Sequence, residues 1–167
     1  MVNAFVIEWT GPYINPREVD VSNILYLITG NLPQGPAAEK IRYVGITTND
    51  PVTRFDKNHP FWKLTEDNRK FWVGKIRKCS IQRYSDAEWL LVHFLYMQKD
   101  NPQVVLLNER KKTEPKNPIC IINRWFKASD GEEYTNYIFP FKHIPDVLFW
   151  NPSKKELLTS EKIYIEE

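Results

Sequence analysis

Asn23-Ile24-Leu25-Tyr26-Leu27-Ile28-Thr29 and Ile41-Arg42-Tyr43-Val44-Gly45-Ile46-Thr47 decide how this chain is read. Each is a short apolar run rich in β-branched and aromatic residues, each carries a tyrosine, and both read as β-strands. The first is so apolar that it belongs in the middle of a sheet. Between them Gly30–Glu39, with Pro33, Gly35 and Pro36, reads as a hairpin with a long loop or small insertion.

Downstream, Asn49-Asp50-Pro51 signals a helix start, a cap-type residue before proline at the first position. The short helix that follows carries Arg54 and Lys57 and ends near Asn58-His59-Pro60. Phe71 to Arg77 alternates apolar and polar residues, as a half-buried edge strand would. Ser85-Asp86-Ala87-Glu88 opens the longest helix, which runs to about Lys99 and stops at Asn101-Pro102. Upstream, Val2 to Trp9 is strand-like and Gly11-Pro12 ends it. Beyond residue 118, Ile119–Ile122 reads as a short strand, and Pro140, Pro145 and Pro152 break up the rest. The expected fold is α+β, a small three-stranded antiparallel sheet flanked by helices, with an added N-terminal strand and an irregular C-terminal extension. The expected division is 1–22 as strand and loop packing on the core, 23–118 as the core, and 119–167 as the extension.

The 167 residues suffice for one domain that buries roughly two-thirds of its unfolded surface. Net charge is +2, but its distribution is uneven: residues 51–83 hold nine Lys/Arg against three acids, whereas 119–167 hold six against eight. Such clustering suits a polyanion. Cys79 and Cys120 form no metal-ligand spacing and read as thiols of a reducing compartment. Met1 to Thr10 has no secretory-signal pattern, and Trp89–Met97 is too short to span a bilayer, so a cytoplasmic protein is expected.

Tyrosines, an arginine and a lone carboxylate suit attack on a phosphodiester: a proton acceptor, a phosphate clamp and a metal ligand. Leu25-Tyr26, Tyr43-Val44-Gly45, the following Arg54, Ala87-Glu88 and Leu107-Asn108 resemble, in order and element type, the GIY-YIG endonuclease family. The first motif keeps its tyrosine but has Ile24 where the family has glycine, and the insertion at 31–40 lengthens the gap to Tyr43. The resemblance covers roughly residues 23–110 and implies metal-dependent hydrolysis of DNA with Mg²⁺ or Mn²⁺. It implies that Tyr26 or Tyr43 activates water, that Arg54 holds the scissile phosphate, that Glu88 ligates the metal and that Asn108 braces the site.

A phenol of ordinary pKa about 10 is a weak base at neutral pH, so His59, an imidazole near 6.5, is an alternative base or an ordinary loop residue. Glu88 has an alternative task, since Ser85-x-x-Glu88 is also a capping box. Lys57, Lys75, Arg77, Lys78, Arg110, Lys111 and Lys112 are candidates for flanking phosphates. Asn123-Arg124-Trp125-Phe126-Lys127 mixes cations and aromatics and reads either as a base-stacking surface or as a strand end. The alternatives to a nuclease are an inactive nucleic-acid-binding domain of the same fold and a protein-interaction domain using exposed rings.

Overall fold

A computed structural model of the chain describes residues 2–76, 81–109, 113–136 and 138–160. Among these residues seven strands form one sheet: β1 (Asn3–Tyr13), β2 (Ile24–Gly30), β3 (Lys40–Thr47), β4 (Lys70–Ile76), β5 (Ile119–Lys127), β6 (Val147–Asn151) and β7 (Glu156–Ser160). Their order is β3-β2-β4-β1-β5-β6-β7. Neighbours are antiparallel except β1 and β5, which run parallel. Two α-helices accompany the sheet, α1 (Pro51–Arg54) and α2 (Ile81–Met97). Among the described residues no helix is long and apolar enough to cross a membrane.

The expectation of a small three-stranded sheet flanked by helices is therefore overturned. Strands β3, β2 and β4 do pair antiparallel, but they are only one wing of a mixed seven-stranded sheet. The N-terminal strand is no accessory: β1 continues through Gly11-Pro12 to Tyr13 and lies between β4 and β5. Nor is the region after residue 118 irregular, since it supplies β5, β6 and β7. Strand β4, expected at an edge, is covered on both sides by β2 and β1, which explains why all its residues but Lys70 and Lys75 are buried.

Two apolar clusters sandwich the β2 wing, and alternation along β2 decides which residue enters which. Leu25 and Leu27 join Val44, Trp72 and the α2 residues Ala87, Leu90 and Leu91 in the larger cluster. Ile24, Tyr26 and Ile28 join Phe55, Phe61, Phe71 and Val73 in the second. Every residue of β2 is buried as a result.

Helix α2 turns a stripe of Tyr84, Ala87, Glu88, Leu91, Val92 and Leu95 inward, all buried and spaced three or four apart. It begins at Ile81, four residues before Ser85, so the capping-box reading of Ser85 and Glu88 fails. Glu88 lies about two turns inside the helix, beyond reach of its first amides.

Strand β3 is an edge, and the chain after α2 covers part of it. Ile41 N–H donates to Gln103 O (2.8 Å), Val105 N–H to Ile41 O (3.0 Å) and Leu107 N–H to Arg42 O (2.6 Å). Asn108 extends the cover to Val44, accepting its N–H at 3.0 Å through Oδ1 and donating Nδ2–H to its carbonyl at 2.7 Å. Edge amides would otherwise invite another strand.

Candidate functional site

Tyr26 and Gly45 are register partners across β2 and β3, and Tyr43 precedes Gly45 by one strand period, so all three share one face. The Tyr26 ring lies over the glycine. A Cβ at Gly45 would stand 2.5 Å from Tyr26 Cζ, 2.8 Å from Tyr43 Cε1 and closer still to Tyr26 Oη. The absence of a side chain at Gly45 thus lets the two rings stack, with centroids 5.9 Å apart and planes at 9°. Tyr26 is fully buried, whereas Tyr43 is half-buried.

Asp50 caps α1 by accepting Thr53 N–H at 2.8 Å, and the helix ends on Arg54, half-buried with its guanidinium 5.9 Å from the centroid of the Tyr26 ring. Lys57 lies beyond the helix and is exposed. His59, only 3% exposed, enters the cluster just before a 3-10 turn at Pro60–Lys63. Its ring stacks on Phe55 at 4.4 Å.

The two nitrogens of His59 have different partners. Nδ1 accepts Phe61 N–H at 3.2 Å, so the lone pair of the neutral ring is at Nδ1 and the proton at Nε2, a tautomer assigned from these contacts. Nε2 is 3.2 Å from Tyr26 Oη and donates to it. Burial, reinforced by the Arg54 charge and opposed by Asp56, pushes the His59 pKa down to about 4. The imidazole is therefore neutral at pH 7, and its lone pair is engaged by backbone. As a proton acceptor it is badly placed; as a hydrogen-bond donor to Tyr26 it is well placed.

Burial likewise drives the Tyr26 phenol well above its usual range, with further upward contributions from Tyr43 and Glu88 and a downward one from Arg54. Tyr26 keeps its proton at neutral pH.

Glu88 is 5% exposed, an uncommon position for a carboxylate. It comes from the helix on the opposite side of the sheet, yet its charge still opposes ionisation of Tyr26. The two sides meet at the end of β3. There a cleft of about 350 Å³ is lined by Ile46, Thr47, Thr48 and Asn49, by Asn23 before β2, by Arg54, and by Tyr84 one turn ahead of Glu88. Lys75 extends the tyrosine face from β4, two residues beyond Val73, and is exposed.

Among the described residues no three His, Cys, Asp or Glu side chains converge as a ready-made metal cage. Glu88 does not itself line the cleft, but it stands one turn beyond the lining residue Tyr84, and a single carboxylate is the donor type that a hard cation such as Mg²⁺ takes while keeping most of its water. The residues present fit that type of site.

Tyr26, Tyr43, Arg54 and His59 are thus brought together. Asn108 stands apart in role: both ends of its amide are spent on Val44, and the Tyr96 hydroxyl donates to its carbonyl, so it braces β3 under the tyrosine pair. Arg77, Lys78, Cys79, Arg110, Lys111 and Lys112 lie outside the described residues. Residues 123–127 are the end of strand β5. Trp125 is buried between Trp9 (5.2 Å) and Phe141 (4.8 Å), Asn123 accepts the Trp9 indole N–H, and Arg124 pairs bidentately with Glu133.

The sequence carries no local signal for the Phe61 N–H that fixes the His59 tautomer; His59-Pro60 at a turn start is the nearest clue. Compared with protein-family models, curated proteins and solved structures, the chain matches none.

Proposed function

We propose that this chain is an endonuclease that hydrolyses phosphodiester bonds in DNA, with a site of the GIY-YIG type. One observation carries the reading: Tyr26, Tyr43, Arg54 and His59, from three separate segments, share a single cluster beside the Arg54 cleft. Hydrogen-bond polarity supports Tyr43 as the base. Phe61 N–H donates to His59, and His59 donates to Tyr26, which leaves the Tyr26 proton to point at Tyr43. A chain of donors ending on Tyr43 directs a hydrogen bond at the oxygen that takes the proton from water in this reading. Arg54 steadies the non-bridging oxygens of the scissile phosphate. A divalent cation, Mg²⁺ or Mn²⁺, when bound at Glu88, would lower the pKa of water and stabilise the leaving oxygen. Exposed Lys57 and Lys75 take flanking phosphates and position the DNA without reading sequence. A reducing compartment such as the cytoplasm suits Cys120, a free thiol.

Supercoiled plasmid with Mg²⁺ or Mn²⁺ tests this directly. Wild type nicks it, Tyr43→Phe and Glu88→Ala do not, and Tyr26→Phe retains partial activity. Failure of the wild type to nick with either metal would sink the enzyme reading. The near-complete burial of Tyr26, His59 and Glu88 favours a second reading, an inactive DNA-binding domain. Its signature is salt-dependent DNA binding without nicking.

A further inference from the structure

Five of the six tryptophans, Trp9, Trp72, Trp89, Trp125 and Trp150, are at most 5% exposed, whereas Trp62 is 39% exposed. Trp62 is nonetheless rigidly held. Its indole N–H donates to Phe55 O at 2.8 Å, the residue directly after Arg54, and Phe61 packs edge-on against its ring at 5.1 Å. The Arg69 guanidinium sits over the indole with 4.6 Å to the centroid. Exposed Lys63 and Lys57 flank the ring along the chain. A large π-surface that is exposed, backed by a guanidinium and hydrogen-bonded to the residue after a candidate phosphate clamp is poorly explained by core packing. It has the features of a base platform: stacking tolerates any base, and a fixed ring loses little conformational freedom when one binds.

We propose that Trp62, backed by Arg69, stacks on an unpaired nucleobase next to the phosphate held by Arg54. The preferred substrate is then DNA with an unpaired or splayed nucleotide beside the cut, rather than uninterrupted duplex. The assignment of the neighbouring phosphate to Arg54 rests on the proposed nuclease site; the stacking platform itself does not. A paired base presents no free face, so only interrupted, frayed or single-stranded DNA supplies this contact, while its phosphates satisfy the cations.

The test separates the two ideas by measuring binding in EDTA, where no cleavage occurs. Two DNAs are compared: a blunt duplex and the same duplex with a short unpaired overhang carrying 2-aminopurine, whose fluorescence falls when it stacks. Wild type is expected to bind the overhang DNA about tenfold more tightly and to quench the probe. Trp62→Ala should lose both the preference and the quenching, while Trp62→Phe, which keeps a π-face, should retain most of both. Should Trp62→Ala lose its folded circular-dichroism spectrum, Trp62→Leu replaces it, keeping apolar bulk without a π-face, and must also lose the quenching. Equal binding of the two DNAs by wild type, or full quenching by Trp62→Leu, overturns the proposal. Quenched, overhang-selective binding without nicking in Mg²⁺ would remove the nuclease reading and leave the platform standing.

Discussion

Lowering the pH should destabilise this protein through one residue in the tyrosine cluster. His59 has an ordinary pKa of 6.5 and is held at about 4 in the fold, chiefly by burial and secondarily by the Arg54 charge. A histidine with a depressed folded pKa binds its proton more readily when unfolded. Its contribution to stability is therefore complete above pH 6.5 and is lost as pH falls from there toward 4. With those two values, the loss between pH 7 and pH 5 is about 2 kcal/mol, rising to about 3 kcal/mol at pH 4. That is a large share of the roughly 5–15 kcal/mol by which domains are stable. Protonating His59 also forces a second proton onto Nδ1, opposite the Phe61 N–H, and breaks the 3.2 Å bond. Urea unfolding at pH 7, 6, 5 and 4.5 measures the effect, with His59→Gln as comparator. Glutamine can donate to Tyr26 but cannot titrate, so the variant should be weaker at pH 7 and less sensitive to acid. His143, whose pKa is also lowered by burial, titrates in both proteins and cancels in the comparison. Identical pH slopes in the two proteins, or an NMR titration placing His59 near 6.5, would refute the reasoning.

Two further perturbations test the framework around the site. Gly45→Ala drives a methyl group into the Tyr26 and Tyr43 rings and should cost about 1–3 kcal/mol in thermal or urea unfolding while separating the tyrosine pair; a neutral effect would mean that Tyr26 does not lie over Gly45. Asn108→Ala removes both hydrogen bonds to Val44 and should cost about 1–3 kcal/mol, with faster amide exchange at Val44 as the specific readout.

How much of this was legible beforehand differs from one element to the next. Strands β2 and β3 were visible because their apolar runs and turn signals are local. The start of α1 was visible for the same reason, since Asp50 caps it through a residue three positions away. Strand β4 is legible as a strand but not in its place, because exposed Lys75 imitates the alternation of an edge while β2 and β1 pair with it on either side. Strand β5 was seen only as far as Ile122. Asn123 interrupts its apolar alternation, and its reason for being buried, the Trp9 indole, lies 114 residues away.

Sequence alone determined which groups this protein brings to its site: two tyrosines on strands, Arg54 on a capped helix, and His59 before a proline. These follow from periodicity, capping and turn chemistry, which act over a few residues. Tertiary structure decided what each group can do. It buried Tyr26 and set His59 as donor rather than acceptor. It placed Glu88 well inside α2 instead of at its cap, and it left Trp62 exposed when every other tryptophan is covered. Burial and hydrogen-bond direction depend on which distant strands become neighbours, and seven-strand pairing is a property of the whole chain.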